Sequence, residues 1–270
     1  MYIFTKTKNQ RTMKERFLSM SEKKWVTSEM EVNGFKTEVK FTENTINNVF
    51  LPFLRNLNNI YGQVGRKVIA YLVAPPATGK STIVQFLEKL SNENADLTPI
   101  CALGMDGFHY SSSYMDAHFA IINGSTIPMK SIKGAPETFN IDHMQEKIRE
   151  AKLEETDWPI YDRNIHDVVP DAISVEADII LIEGNYLLLK DPRWTNIRAL
   201  ADYSVFIKAD PEMLKPRLIE RKVKGGKTQG EAEHFYEVSD GKNVELVLNN
   251  SAEADETWIL EADGDITKEE

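Results

Sequence analysis

The feature that most constrains this chain is an apolar run followed at once by a phosphate-loop pattern. Residues 68–73 (VIAYLV) are all apolar, which predicts a strand buried on both faces of a parallel sheet. Residues 74–82 (APPATGKST) form a short loop that ends in Gly-Lys-Ser, and the apolar spacing of residues 82–90 is helical. Strand, loop and helix in this order are typical of a P-loop, where backbone N–H groups and a helix N-terminus face phosphate groups. The sequence therefore predicts a nucleotide-binding site.

Within this loop the pattern assigns separate tasks to two side chains. Lys80 would reach the β- and γ-phosphates, and the Ser81 hydroxyl would ligate Mg²⁺. The pattern usually begins with Gly, whereas this chain has Ala74 there. A methyl group is tolerated at that position if the residue keeps a negative φ. The residues predicted to bind the nucleotide are Ala74, Pro75, Pro76, Ala77, Thr78, Gly79, Lys80, Ser81 and Thr82.

Composition limits the class of partner. The 270 residues carry a net charge of −10 with no basic stripe, which argues against DNA or RNA as a ligand. No apolar run approaches the ~20 residues that span a bilayer, so no membrane partner is expected. A single cysteine, Cys101, favours a reducing, cytoplasmic setting. The expected ligand is small and anionic, held by a few placed cations.

The chain is predicted to contain one domain with an N-terminal extension. Residues 1–24 carry seven Lys/Arg and two Glu but no apolar core of a secretory signal, and residues 1–30 are predicted to be disordered or loosely ordered. A single domain is predicted over residues 31–270. It includes a helical element over residues 44–61, in which Pro52 bends the helix or marks its restart.

Further apolar runs predict the rest of the sheet. They occupy residues 100–105, 177–183, 203–209 and 257–261, with helical patterns between them. Buried strands that alternate with helices predict an α/β fold: a doubly wound, mostly parallel sheet flanked by helices, as in P-loop NTPases. A helical segment is expected over residues 114–123.

Two carboxylates follow predicted strands. Ligands bind outside the carboxyl ends of strands in such sheets, where the P-loop, Asp106 and Glu183 would meet. Asp106, on the strand expected beside the phosphate site, would accept a proton from a substrate hydroxyl. Glu183 resembles the acidic residue on the Mg²⁺ side of P-loop enzymes. The alternatives are an ordinary Asp-Gly turn and a solvated carboxylate.

Weaker patterns add candidate substrate and phosphate contacts. Residues 158–163 (WPIYDR) place an aromatic ring and a guanidinium on a predicted proline-constrained loop. Lys133, in a Gly/Pro-rich segment, would hold substrate or belong to an ordered turn. Arg217 and Arg221 give a predicted helix a basic face, which would close over phosphates or simply be solvated.

Taken together, these motifs resemble the P-loop kinases of the uridine kinase, pantothenate kinase and phosphoribulokinase group. In particular, the chain resembles their bacterial branch of sugar or nucleoside kinases, often labelled fructokinase-like. The similarity extends from about residue 32 to residue 259. The segments that carry it are residues 74–82, 105–109, 133–139, 159–163, 182–189 and 217–222.

The resemblance implies ATP- and Mg²⁺-dependent transfer of the γ-phosphoryl group to a hydroxyl. It implies that Asp106 is the base and that Glu183 is the acidic residue at the strand end. The implied substrate contacts are His109, Lys133, Tyr161 and Arg163, the implied lid cations are Arg217 and Arg221, and Asn243 is implied on the adenine side. Glu231, Glu233 and Glu237 make the lid region less basic than in uridine kinases.

The leading hypothesis is thus a kinase with a small-molecule hydroxyl acceptor. A nucleotide-dependent regulatory switch is the alternative, although the chain lacks the Asn-Lys-x-Asp element of GTPases. A motor or transporter ATPase is disfavoured, since no Leu-Ser-Gly-Gly stretch is present. A hexose, a ribonucleoside and pantothenate all remain open as acceptors, and homodimer formation stays open as well.

Overall fold

Continuous apolar runs in the central strands determine the architecture. The computed structural model describes residues 23–32 and 34–269. Its strands are β1 (Trp25–Val32), β2 (Phe35–Thr42), β3 (Val68–Val73), β4 (Ile100–Gly104), β5 (Phe119–Ile122), β6 (Ser125–Pro128), β7 (Thr156–Asp162), β8 (Asp167–Val175), β9 (Ile179–Gly184), β10 (Tyr203–Ala209), β11 (Glu256–Leu260) and β12 (Ile266–Lys268). Its helices are α1 (Leu51–Val64), α2 (Lys80–Asn92), α3 (Ser112–Ala117), α4 (Ile141–Leu153), α5 (Thr195–Arg198), α6 (Pro211–Lys224), α7 (Gln229–Phe235) and α8 (Gly241–Asn250).

Six strands form the central sheet in the order β12-β11-β10-β3-β9-β4. Only the β11–β12 pair is antiparallel. Every residue of β3 and β9 is buried. Val68, Ala70 and Leu72 of β3 enter one core, while the intervening residues enter a second core on the opposite face, because successive side chains of a strand alternate. The predicted doubly wound α/β fold is confirmed.

Helices cover both faces of this sheet. Phe53, Leu54 and Leu57 of α1 and Ile83 and Leu87 of α2 belong to the first core. Met144, Ile148 and Ala151 of α4 belong to the second. These apolar stripes at helical spacing are what hold the helices on the sheet.

Over the described ranges, the structure has no helix with the combined length and apolarity needed to cross a bilayer.

The N-terminal helical element of the structure extends from Glu43 to Val64, and its α-helix restarts at Leu51, next to Pro52. A helical turn at Glu43–Thr45 leads into a π-helical turn at Ile46–Phe50, and α1 follows with Pro52 in its first turn. The first turn, Glu43–Thr45, is capped by Thr42, whose Oγ1 accepts a hydrogen bond from the Thr45 N–H at 2.9 Å. Thr42 Oγ1 also donates to Asp265 at 2.7 Å, which ties this element to the end of the chain.

Three sequence expectations were wrong. Residues 25–30, expected to be loosely ordered, form most of β1, which pairs with β2 in a hairpin; residues 1–22 lie outside the described part of the chain. Residues 114–123 are helical only to Ala117 and then enter the hairpin of β5 and β6. Residues 158–162, expected in a loop, belong to β7, whose pairing with β8 shifts register between Trp158 and Ile160. Pro159 at this bulge has no N–H to pair, which is where a strand tolerates proline. The division into one domain stays a prediction.

Candidate active site

The loop after β3 has the geometry of an anion cradle. Gly79 adopts φ 93°, a left-handed conformation that suits glycine, and α2 begins at the next residue without a capping side chain. The first N–H groups of a helix lack intrahelical partners, so these groups are available to a phosphate. Ala74 is fully buried and is not among the described residues with positive φ. The methyl group of Ala74 is therefore tolerated at the position where this pattern usually has glycine.

Lys80 and Ser81 at the start of α2 face buried groups at the ends of the strands. Lys80 Nζ donates to Pro75 O at 3.1 Å and to Asn185 Oδ1 at 2.6 Å. Ser81 Oγ donates to Glu183 Oε1 at 2.5 Å. Lys80 and Glu183 are each only 8% exposed. Burial lowers the pKa of Lys80, and the carboxylates of Glu183 and Asp106 oppose that shift. Burial likewise raises the pKa of Glu183, and Lys80 opposes it.

The donor set beside the loop fits Mg²⁺ delivered with a nucleotide. Ser81 and Glu183 supply hard oxygen atoms in contact with each other. Within residues 23–32 and 34–269, the structure has no group of three or more His, Cys, Asp or Glu side chains suited to a metal ion. Mg²⁺ is commonly held by one or two carboxylates plus substrate phosphates rather than by an all-protein cage. The residues present therefore match a metal that completes its coordination with phosphate oxygens.

Asp106 reaches the same end of the sheet by a different route from the one expected. It lies in a 3₁₀ turn, Met105–Phe108, directly after β4. Its strand, β4, was expected beside β3, but β9 lies between them. Gly104 at the end of β4 pairs with Glu183, and Leu72 of β3 pairs with Glu183 on the other side. Glu183 thus stands between the phosphate loop and Asp106.

Two glycines allow close packing around Asp106, Gly107 against backbone and Gly184 against the Met105 side chain. A Cβ built on Gly107 would lie 2.1 Å from Pro159 O, and one on Gly184 would lie 2.1 Å from Met105 Sδ. The first contact is with backbone and cannot be relieved by a side-chain rotation. Gly107 therefore packs the Asp106 turn directly against the bulge of β7, which fixes the carboxylate relative to the substrate loop.

We expect Gly107→Ala to cost about 3 kcal/mol of unfolding free energy, since overpacking against fixed backbone displaces one of the two segments. Phosphoryl transfer should fall as well, because Asp106 moves with the turn. Denaturant unfolding and steady-state kinetics would measure both. Gly62→Ala serves as the control: its site in α1 has no atom within 4 Å, so alanine should match or slightly raise stability. Equal effects of the two variants would contradict the packing role of Gly107.

A cavity of about 320 Å³ opens beside these residues, and its volume suits a small ligand. Asp106 and Glu183 line it, together with residues 159–164 of β7 and the turn that follows. Tyr161 and Arg163 of the predicted substrate loop are therefore brought to the same cavity as the predicted base. Ala102 and Gly104 of β4, Gln85 of α2, and Glu31 and Gly34 of the N-terminal hairpin complete much of the wall.

His109 and Lys133 lie behind Tyr161 rather than in the cavity wall. Lys133 Nζ contacts Tyr161 OH at 2.8 Å and donates to His166 O at 3.2 Å. The His109 ring packs on Phe139 with a centroid distance of 3.9 Å, and its Nδ1 contacts Asp106 O at 2.9 Å. Burial lowers the pKa of His109. Both residues thus contact predicted site residues, although neither lines the cavity.

The predicted lid cations lie on α6, above the loop. Arg217 Nη1 donates to Ala77 O at 3.5 Å. Arg221 is exposed and interacts electrostatically with Asp240, Arg163 and Asp106. Asn243 is 8% exposed in the first turn of α8, close in the chain to Asp240 and outside the cavity lining. The structure therefore brings Arg217 to the phosphate loop and gives Asn243 a separate, buried position.

Two further polar residues, Asn185 and Asp240, were not predicted from the sequence. Asn185 accepts from Lys80, and its position two residues beyond Glu183 was the available signal. Asp240 is 6% exposed, ends a π-helical turn and lies 3.7 Å from Lys222 Nζ. Its Oδ2 has no hydrogen-bond partner among the described residues, and burial raises its pKa. π-Turns occur often at functional sites.

Comparison with known proteins gives relatives over most of the chain. The Escherichia coli K12 protein YggC, described as uncharacterized, is 41% identical over 227 residues, which are 84% of this chain and 92% of that protein. "Putative uridine kinase C227.14" of Schizosaccharomyces pombe is 30% identical over 197 residues, 70% of this chain and 82% of that protein. The crystal structure of a "putative fructose transport system kinase" from Silicibacter sp. TM1040 matches with a TM-score of 0.69 at 25% identity, over 78% of this chain and 98% of that one. No family model matches the chain.

Proposed function

Because this chain belongs to the P-loop kinases of the uridine kinase, pantothenate kinase and phosphoribulokinase group, we propose that it transfers the γ-phosphoryl group of ATP to a hydroxyl of a small metabolite. The observation that carries this proposal is the position of Glu183. Its carboxylate accepts from Ser81 of the phosphate loop and lines the same cavity as Asp106. Glu183 thereby connects the phosphate loop to a cavity whose wall includes Asp106, a carboxylate that can take a proton.

P-loop kinases generally use ATP with Mg²⁺, and we assign the same pair to this chain. Bound MgATP would supply the transferred group, with the metal ion offsetting charge on the β- and γ-phosphate oxygens. Ser81 and Glu183 would hold the ion. Lys80 would exchange its contact with Asn185 for phosphate oxygens. Its ammonium, disfavoured by burial, hydrogen-bonds only neutral oxygens among the described residues and would gain anionic ones.

At the acceptor end, Asp106 would take the proton of the attacking hydroxyl. The hydroxyl oxygen would bond to the γ-phosphorus of ATP while the bond from that phosphorus to the β,γ-bridging oxygen breaks, with ADP as the leaving group. General-base catalysis requires the carboxylate within hydrogen-bond reach of that hydroxyl. Tyr161 and Arg163 would orient the acceptor, with Lys133 holding the Tyr161 ring and hydroxyl in place. Arg217 and Arg221 would offset charge that develops on the transferred group. Most of the rate enhancement would come from such positioning and charge neutralisation.

The remaining partner assignments follow from composition. The net charge of −10 supports a small-molecule acceptor rather than a nucleic acid. The pKa of the single cysteine, Cys101, is raised by burial to about 11, so the thiol stays protonated and chemically quiet. We propose a cytoplasmic enzyme on this cysteine usage.

ADP release in the presence of single acceptors tests the function. Sugars, nucleosides and pantothenate are supplied one at a time with MgATP, and phosphorylated product is identified by mass spectrometry. We expect one chemical class to stimulate ADP release well above the rate without acceptor. ATP hydrolysis that ignores every acceptor but responds to a protein partner would instead support the regulatory switch.

A further inference from the structure

Two residues that line the cavity, Gln85 and Glu31, lie outside every motif considered so far. Gln85 is on α2, four residues after Ser81, and residues at this spacing share one helix face. Glu31 comes from β1 of the N-terminal hairpin. Both line the cavity that contains Asp106 and Glu183. The helix that starts at the phosphate site thus continues along the wall where an acceptor would lie.

Gln85 carries an unsatisfied polar atom. Its Oε1 is buried, and no group among the described residues makes a hydrogen bond to it. Buried polar atoms are nearly always paired, so an exception calls for a ligand or a functional reason. Gln85 itself lines the cavity, so a rotation of its amide would bring this oxygen to the cavity, where a hydroxyl of the phosphoryl acceptor could donate a hydrogen bond to it.

The charge of the cavity also favours a ligand with neutral hydroxyl groups. Its acidic wall residues are Glu31, Asp106, Asp162 and Glu183, and its one basic wall residue within the described chain is Arg163. The lysine and arginines of the phosphate end, Lys80, Arg217 and Arg221, do not line it. A carboxylate or phosphate on the acceptor molecule would be repelled by most of the charged wall residues. Neutral hydroxyl groups could instead donate hydrogen bonds to these carboxylates.

We propose that Gln85 and Glu31 select a neutral, polyhydroxylated acceptor: Gln85 hydrogen-bonds one of its hydroxyl groups, and Glu31 disfavours acceptors that carry a negative charge. This inference rests on the proposed kinase function and names the acceptor class within it. It removes pantothenate, a carboxylate, from the three acceptors left open by the sequence. Sugars and nucleosides fit the class.

Gln85→Met tests the hydrogen bond, because methionine has a similar length without the amide. We expect the KM for the best neutral acceptor to rise about tenfold or more, with the KM for ATP unchanged within about twofold. The ligand-free variant should melt at the same temperature or up to about 4 °C higher, since an unpaired buried oxygen is removed. A lower melting temperature together with parallel losses for ATP and acceptor would reveal a purely structural role and overturn the proposal.

Glu31→Gln tests the charge selection, using matched acceptors such as a hexose and its aldonate. The wild type should prefer the neutral member, and the variant should shift the ratio of kcat/KM toward the anionic member by about threefold or more. That shift is modest because Glu31 is exposed and solvent screens it. Glu29→Gln is the matched control, since Glu29 is on the same strand and outside the cavity lining; its ratio should not move.

The outcomes separate this inference from the proposed function. If the wild type phosphorylates an acceptor but prefers the anionic members, or if Gln85→Met leaves the acceptor KM unchanged, the selection proposal fails while the kinase stands. If no member of the panel is phosphorylated, the proposed function fails and takes this inference with it.

Discussion

Asp106→Asn should leave MgATP binding within about twofold of wild type and lower kcat by about 10²- to 10⁴-fold, the range expected when a general base is lost. Asparagine keeps the size and polarity of the side chain but cannot take the acceptor proton. Tyr161 and Arg163 line the same cavity as Asp106 and would still hold the acceptor in the variant. The acceptor KM should therefore change far less than kcat. Calorimetry for MgATP and single-turnover product formation would measure the two quantities separately.

Asp162→Asn is the matched control for that experiment. Asp162 lines the same cavity, but its Oδ1 already accepts the Asn164 N–H at 2.7 Å. Its loss should alter the acceptor KM more than the chemical step. Wild-type turnover by Asp106→Asn would show that the base assignment is wrong, and equal kcat losses in both variants would show that the cavity needs negative charge rather than a particular base.

The central fold could be predicted because its signals are local. β3 and β9 are continuous apolar runs, and burial on both faces of a strand leaves little choice but a covered, parallel sheet. The hairpins were not predictable in the same way. β1 and β2 pair polar residues such as Glu29 with Glu38, and only one face of the hairpin contributes to the first core, through Val32, Val39 and Phe41, so neither strand shows a continuous apolar run. The hairpin is held by contacts with residues distant in the chain, such as the hydrogen bond from Lys89 Nζ of α2 to Ser28 Oγ at 2.7 Å, which no local pattern indicates.

The position of a site residue could be predicted where a motif fixes the local backbone, but not where it depends on the order of strands in the sheet. The positions of Lys80, Ser81 and Glu183 could be predicted because loop and strand-end signals place them. That β9 separates β3 from β4 is a consequence of non-local pairing, and chain order alone suggested the opposite. Gln85 was missed for a related reason: its helix was predicted, but only the folded hairpin and β4 show that its amide is buried at the cavity.

Lys80→Ala should abolish measurable phosphoryl transfer, with a loss of at least about 10³-fold that reflects removal of a preorganised charge from a desolvated site. MgATP affinity should also fall, because the lysine is the buried cation of the loop. The pKa of the Glu183 carboxyl, already raised by burial, should rise further once its opposing ammonium is gone. Calorimetry and ADP release would follow both losses, and circular dichroism would confirm the fold.

Lys89→Ala separates this effect from a general loss of positive charge on α2. Lys89 lies on the same helix, bonds Ser28 and Glu93 at the surface, and is absent from the cavity that holds Asp106. Its removal should leave kcat and MgATP affinity within about twofold of wild type, since an exposed ion pair contributes under ~1 kcal/mol. If Lys80→Ala retained MgATP binding and turnover at the level of Lys89→Ala, the loop after β3 would not be the site of the nucleotide, and the catalytic roles assigned to Ser81, Glu183 and Asp106 would lose their common anchor.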